Sequence, residues 1–192
     1  IQELYAKGVR NFVVQTANQL LNLKGVNYVI VANGLAAIQK LAGYHRQQFN
    51  IPVVAITGSN GKTIVKEWCH QVLQKDYTIC RSPKSYNSQL GVPLSVWALN
   101  SSHNLALFEA GVSAPEEMDK LQKTIQPTIG IFTTIGSAHS ENFINVEHKI
   151  KEKLKLFLKA QVLIYCSDLA KLHQNITAVF GNQAPESEGP VL

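Results

Sequence analysis

Long apolar runs are missing from these 192 residues, and charge, cysteine and aromatic side chains are all sparse. No stretch approaches the roughly 18 apolar residues that cross a bilayer as a helix. No basic-then-apolar leader opens the chain either, so a cytoplasmic protein without a membrane span is expected. Charged residues make up 16% and apolar residues 45%, which excludes a disordered chain and fits a packed globular one. Three cysteines, Cys69, Cys80 and Cys166, are odd in number and lack a CxxC pair. Neither a disulfide framework nor a zinc site is expected from them. Cys69 and Cys166 lie in apolar patterns and read as buried thiols of a reducing compartment. The net charge of +5 is mild, and aromatics are not interleaved with the basic residues, so no nucleic-acid partner is expected. Internal repeats and low-complexity segments are absent too. The chain opens at Ile1 and ends in a loop-like stretch with Pro185, Gly189 and Pro190, which reads as a piece of a longer protein.

What is present is concentrated in residues 53–63, VVAITGSNGKT. A short apolar run stops at a Gly-rich turn, and Gly61, Lys62 and Thr63 open a helical pattern carrying Ile64, Val65, Trp68, Cys69, Val72 and Leu73. Strand, loop and helix in that order make an anion site. Loop N–H groups turn inward on a phosphate, and the helix dipole favours the negative charge. Lys62 supplies a point charge for the β- and γ-phosphates, and the Thr63 hydroxyl suits Mg²⁺, so ATP binding is expected. The loop is shorter than usual. Gly58 and Gly61 enclose only Ser59 and Asn60, and Ile56 holds the place of the usual first glycine.

Residues 1–50 read as α/β: a helix at 2–7, strands at 11–15 and 28–31, and a helix at 35–49 capped by Asn33. Leu35, Ile38, Leu41, Ala42 and His45 share one face of that helix. Asn50 and Pro52 mark a division, giving units 1–50 and 51–192. Beyond it, strands at 53–56, 77–80, 105–109, 129–133 and 162–166 alternate with helices at 62–74, 88–98, 115–124 and 146–159. Ser113, Pro115 and Glu116 form a helix start of hydroxyl cap and early acid. Such alternation builds a parallel sheet covered by helices, with ligands beyond the carboxyl ends of the strands.

Several polar groups fall at that edge. Glu109 ends an apolar strand, as a Mg²⁺-holding acid does, and fits a plain strand-ending surface acid equally well. His139 follows a β-branched strand and suits either a metal ligand or a structural hydrogen bond. Lys149, Lys151, Lys153, Lys155 and Lys159 crowd one helix, and their spacing does not single out any of them. Residues 85–93, with Asn87 and Ser88, read as a ligand loop or a helix-capping turn.

Five segments occur in order: TGSNGKT at 57–63, SYNSQLGVPLSVW at 85–97, FEAGVSAPEEM at 108–118, TTIGSAHSENF at 133–143 and EKLKLF at 152–157. Together they resemble the Mur ligases, ATP-dependent amide-forming enzymes of peptidoglycan synthesis. The nearest pattern is the subgroup joining D-alanyl-D-alanine to UDP-N-acetylmuramoyl-tripeptide. The resemblance implies an α/β parallel phosphate-loop sheet flanked by helices as the central domain, preceded by part of a smaller α/β domain that holds the UDP end. It implies ATP on Gly58, Ser59, Asn60, Gly61, Lys62 and Thr63, and Mg²⁺ on Thr63, Glu109, His139 and a carbamylated Lys153. Asn87 and Ser88 would face the muramoyl substrate, and Lys62, Glu109, His139 and Lys153 would carry the catalysis. Ile64, Thr134 and Ser88 depart from the family's usual Thr, Asn and Asn.

The wording of the EAGxS and EKLKLF segments resembles Bacteroidetes-type versions, often fused to an alanine racemase, which implies that covalent partner. The resemblance also implies a further domain that closes over ATP, so the fragment alone is expected to be inactive. A folylpolyglutamate-synthetase-like ligase and a non-catalytic nucleotide-binding fragment are the alternatives.

Overall fold

The computed structural model describes residues 1–19, 21–136 and 142–181. Five parallel strands form its main sheet: β3 (Val53–Thr57), β4 (Ile79–Arg81), β5 (Leu105–Glu109), β6 (Ile129–Phe132) and β7 (Val162–Tyr165), in the order β4-β5-β3-β6-β7. Strands β3 and β5 are buried at every position, as their unbroken apolar runs require when helices cover both faces. The smaller sheet pairs β1 (Asn11–Val14) with β2 (Asn27–Ile30) in parallel. No described helix is long and apolar enough to cross a membrane.

Helices α1 (Gln2–Ala6) and α2 (Gly34–Arg46) belong to the first part of the chain, and Asn33 caps α2 by accepting from Ala36 N–H. The main sheet carries α3 (Lys62–Leu73), α4 (Gly91–Trp97), α5 (Met118–Ile125), α6 (Val146–Leu154) and α7 (Ala170–Phe180). One sheet face, with Val53, Ala55, Ala106 and Phe108, joins residues of α4, α5, α6 and α7 in the large core. The other face, with Val54, Ile56, Leu105 and Leu107, is packed by Val65, Cys69 and Leu73 of α3.

Several expectations are corrected by this packing. Of the six apolar side chains assigned to α3, Ile64, Trp68 and Val72 are exposed, because one helix reaches the sheet with one stripe only. The buried face of α2 is Gln39, Ala42, Gly43 and Arg46, while Leu35 and Leu41 are exposed. Arg46 goes inward because its guanidinium donates to Ile125 O and Phe49 O, satisfying carbonyls at the end of α5 and in the loop after α2.

Strand β4 starts two residues later than expected, since Tyr77 N–H bonds back to Leu73 O and extends the end of α3. Helix α5 starts at Met118, and Ser113 is not its cap; the Glu117 carboxylate instead accepts from Ser113 N–H and Ala114 N–H. Helix α6 passes into a 3₁₀ turn at Lys155–Phe157. Helix α7 was not foreseen, and it is held by Leu172 and Ile176 in the core. Cys80 is buried and Cys69 half-buried, but Cys166 is exposed just past the edge strand β7.

Candidate functional site

Register places the chemistry. Ile56 pairs with Glu109 on β5, and Thr57 pairs with Phe132 on β6. The carboxylate and the end of β6 therefore flank the loop that leaves β3. Gly58 has φ 144°, and a Cβ there would meet Thr133 Oγ1 at 2.0 Å. Only glycine fits that close approach. Ser59 N–H donates to Thr134 O at 2.8 Å, and Thr133 Oγ1 donates to Asn60 O at 2.6 Å. The loop is thus sewn to the end of β6 before any ligand arrives. Thr134, one of the departures from the family pattern, takes part through its carbonyl; Ile64, another, points to solvent.

Gly61, with φ 82°, turns the chain into α3. Lys62 Nζ folds back to donate to Gly58 O at 3.0 Å. Burial lowers its pKa, Glu109 opposes that shift, and Lys149 adds to it. Thr63 Oγ1 donates to Glu109 Oε2 at 3.0 Å. Glu109 is fully buried, and its Oε1 lacks a hydrogen bond. The reading of Glu109 as a surface acid is therefore wrong. Its carboxylate and the Thr63 hydroxyl are adjacent hard oxygen donors, a set that fits Mg²⁺. Among the described residues no cluster of three His, Cys, Asp or Glu side chains stands ready for a metal. His139 lies outside the described residues.

Helix α6 brings two lysines to the opposite side of the loop, one turn apart. Lys149 is buried and donates to Gly136 O at 2.6 Å. Lys153 is 3% exposed, and its Nζ approaches Gly58 O at 3.4 Å. Burial pushes its pKa down to about 7, helped by the charges of Lys62 and Lys149 and opposed by Glu152. The lysine run is thus not simply a solvated face. Lys151 and Lys159 are exposed, while Lys149 and Lys153 turn inward.

A cleft of about 120 Å³ is lined by Gly58, Ser59, Lys62, Asn87, Ser88 and Lys153, among others. Asn87 Nδ2 reaches Glu109 Oε2 at 3.5 Å. The Ser88 hydroxyl accepts from Gly91 N–H at 3.1 Å, so it also caps α4. A larger cavity of about 460 Å³ lies between α2 and α5, away from every one of these residues.

Sequence reasoning missed Lys66, which is fully buried and 3.0 Å from Glu109 Oε1. It also failed to separate Lys149 from its neighbours. The available signal was spacing, since Lys62 and Lys66, like Lys149 and Lys153, are one helical turn apart.

A parallel sheet with a short phosphate loop, a buried strand-end glutamate and a buried lysine pair defines a nucleotide-site class of α/β protein. Residues 56–184 match the Mur ligase middle domain, and the chain belongs to the Mur ligase family. It is 34% identical over 143 residues to the UDP-N-acetylmuramoyl-tripeptide–D-alanyl-D-alanine ligase of Bacillus subtilis, covering 73% of this chain and 31% of that protein. The enzyme of the same name from Borreliella burgdorferi is 35% identical over 136 residues, 71% of this chain and 29% of its own length. The chain therefore spans about a third of the curated relatives it matches. Its fold is that of the Thermotoga maritima MurF ligase solved in complex with ADP, with a TM-score of 0.82 at 23% identity, over 93% of this chain and 42% of that one.

Proposed function

We propose that the full protein is an ATP-dependent ligase that joins D-alanyl-D-alanine to UDP-N-acetylmuramoyl-tripeptide in the cytoplasm. Residues 51–192 act as its ATP-binding middle domain, and residues 1–50 as the later part of the domain holding the UDP end. The observation that carries this reading is the convergence of Lys62, Asn87 and Lys153 on one cleft, with Glu109 buried behind it. The names of the two curated relatives support the substrate pair.

In this mechanism the peptide carboxylate forms a bond to the γ-phosphorus of ATP while the bond to the bridging oxygen breaks, releasing ADP. The amine of D-alanyl-D-alanine then attacks the acyl phosphate. Phosphate leaves with its electron pair, and the nitrogen loses a proton. Two anions must be brought together in the first step, so the site's work is charge neutralisation and alignment. Lys62 would exchange its contact with Gly58 O for the phosphates, and the loop N–H groups would hold them. Asn87 and Ser88 would orient the acyl substrate. Mg²⁺, held by Thr63, Glu109 and His139, would supply further positive charge.

Lys153 has the properties of a carbamylation site. A pKa near 7 leaves much of the amine neutral at physiological pH, and only the neutral amine adds to CO₂, releasing a proton. The product is an anionic oxygen ligand set among cations. The wording of residues 109–113 and 152–157 further supports a covalently joined alanine racemase, which a racemase assay on the full protein would check.

The first test is nucleotide binding by calorimetry, with and without Mg²⁺, on the full protein and on Lys62→Ala. Mg²⁺-dependent binding lost in the variant is expected. Equal binding by both would overturn the phosphate-loop assignment. Ligation of D-alanyl-D-alanine, compared with glutamate addition to a folate, tests the substrate pair.

A further inference from the structure

Lys66 is fully buried, yet the mechanism above gives it nothing to do. Its ammonium donates to Ser82 O at 2.7 Å and to Lys84 O, and lies 3.1 Å from Glu67 Oε1 and 3.0 Å from Glu109 Oε1. Three N–H donors thus face four oxygens drawn from three separate elements.

We propose that Lys66 is a positioning residue that locks Glu109 and the loop 82–88 to helix α3, so that the metal-facing carboxylate and the substrate-facing loop act as one body. The proposal rests on reading Thr63 and Glu109 as a Mg²⁺ site. Glu109 Oε1 is buried without a hydrogen bond, and the Lys66 ammonium is the charge that holds it. That leaves Oε2 for Thr63 Oγ1 at 3.0 Å and Asn87 Nδ2 at 3.5 Å. Without the ammonium a carboxylate would stay buried and uncompensated, free to turn.

The loop is gripped in the same way. Lys84 has φ 49°, a left-handed conformation unusual for a non-glycine residue, and its carbonyl turns in toward Lys66. Such a conformation persists only where its surroundings impose it. Ser82 ties the loop to β5, since its Oγ accepts from Glu109 N–H at 3.1 Å and its own N–H donates to Leu107 O at 3.0 Å. At the far end, Asn87 O accepts from Gly111 N–H at 2.8 Å. Lys66 sits between these ties and reaches both carboxylate and loop from one atom.

Two variants of the full protein separate charge from scaffolding. Lys66→Gln keeps an N–H donor for the Ser82 carbonyl but removes the charge, and Lys66→Met removes both. In both, the Mg²⁺ concentration at half-maximal ADP binding should shift by about threefold or more, with metal-free ADP affinity kept within about twofold. In Lys66→Met, KM for the muramoyl substrate should also rise and kcat fall about tenfold, and adding Glu109→Gln should give a combined loss smaller than the product of the two single losses.

Folded variants with an unshifted Mg²⁺ midpoint and unchanged KM would overturn the proposal. Should neither variant fold, hydrogen exchange of the wild-type protein decides. Mg²⁺ and ADP must raise protection in residues 82–88 together with 58–63, and protection confined to 58–63 would overturn it. Failure of the wild-type protein to bind ADP with Mg²⁺ overturns the metal-site reading instead.

Discussion

Two groups of charged side chains flank the phosphate loop. On the β5 side, Lys66 meets Glu109 and Glu67, and Glu67 in turn meets Arg81. Each charge there has an opposite one beside it. On the α6 side, Lys62, Lys149 and Lys153 gather around the carbonyls of Gly58 and Gly136, and the carboxylate of Glu152 is turned to Lys155. The first group is matched before any ligand arrives, and it holds geometry. The second gathers lysines at the cleft, where burial first, and then the charges of Lys62 and Lys149, lower the pKa of Lys153. Burying a lysine ammonium is costly, and the lowered pKa of Lys153 marks that cost on this side of the site.

The largest expected effect comes from removing a cation on the α6 side. Lys62→Ala should lower ligation by about 10³-fold or more, because its charge works where negative charge accumulates in the transition state. Steady-state kinetics on the full protein, alongside a circular dichroism check of folding, would measure it. Lys153→Ala should lose about 10²-fold, in the range of lost metal-ligand support. Short-chain carboxylic acids added to that variant should restore part of the activity. If every acid tried fails, the carbamate reading falls while the phosphate loop stands.

A third expectation concerns pH. Burial lowers the Lys153 pKa to about 7 in the folded protein, against 10.5 for a solvated lysine. Between those values the unfolded chain binds more protons, so stability rises with pH across that window. Below about pH 7 the cost of the buried ammonium is present in full. Lys153→Met removes it. In CO₂-free buffer the variant's Tm gain should therefore be greatest near pH 6.5 and fade toward pH 10, to roughly nothing. A gain that does not change with pH would mean that Lys153 is not strained by its charge.

The smallest effect belongs to the rim of the matched group. Arg81 and Glu67 are each about a third exposed, and Arg81→Ala should cost below about 1 kcal/mol in urea unfolding.

The Gly-rich loop and the parallel alternation were legible because each is written in contiguous residues. Strand β5 keeps its expected bounds because a strand buried on both faces is a plain apolar run. The buried face of α2 was not legible, since Arg46 points inward in part to meet the Ile125 carbonyl at the end of α5, far along the chain. Helix α7 carries its own apolar stripe at Leu172 and Ile176, and it packs against α6. Cys166 looked like a core thiol, but it follows an edge strand whose outer side nothing described here covers.

Lysine shows the boundary most clearly. Composition and spacing could mark Lys62, because a glycine-rich turn before a helix has one well-understood use. They could not mark Lys66, Lys149 or Lys153, whose roles depend on which face of α3 and α6 meets the loop. The sequence by itself determined the alternation of strand and helix, the family and the anion-binding loop, because these follow from local propensity and short-range pattern. Only the tertiary structure decided which lysines turn inward, which carbonyls and carboxylates they meet and what lies against Glu109. Charge interactions are set by distance in space and by exclusion of water, and neither is a property of chain position.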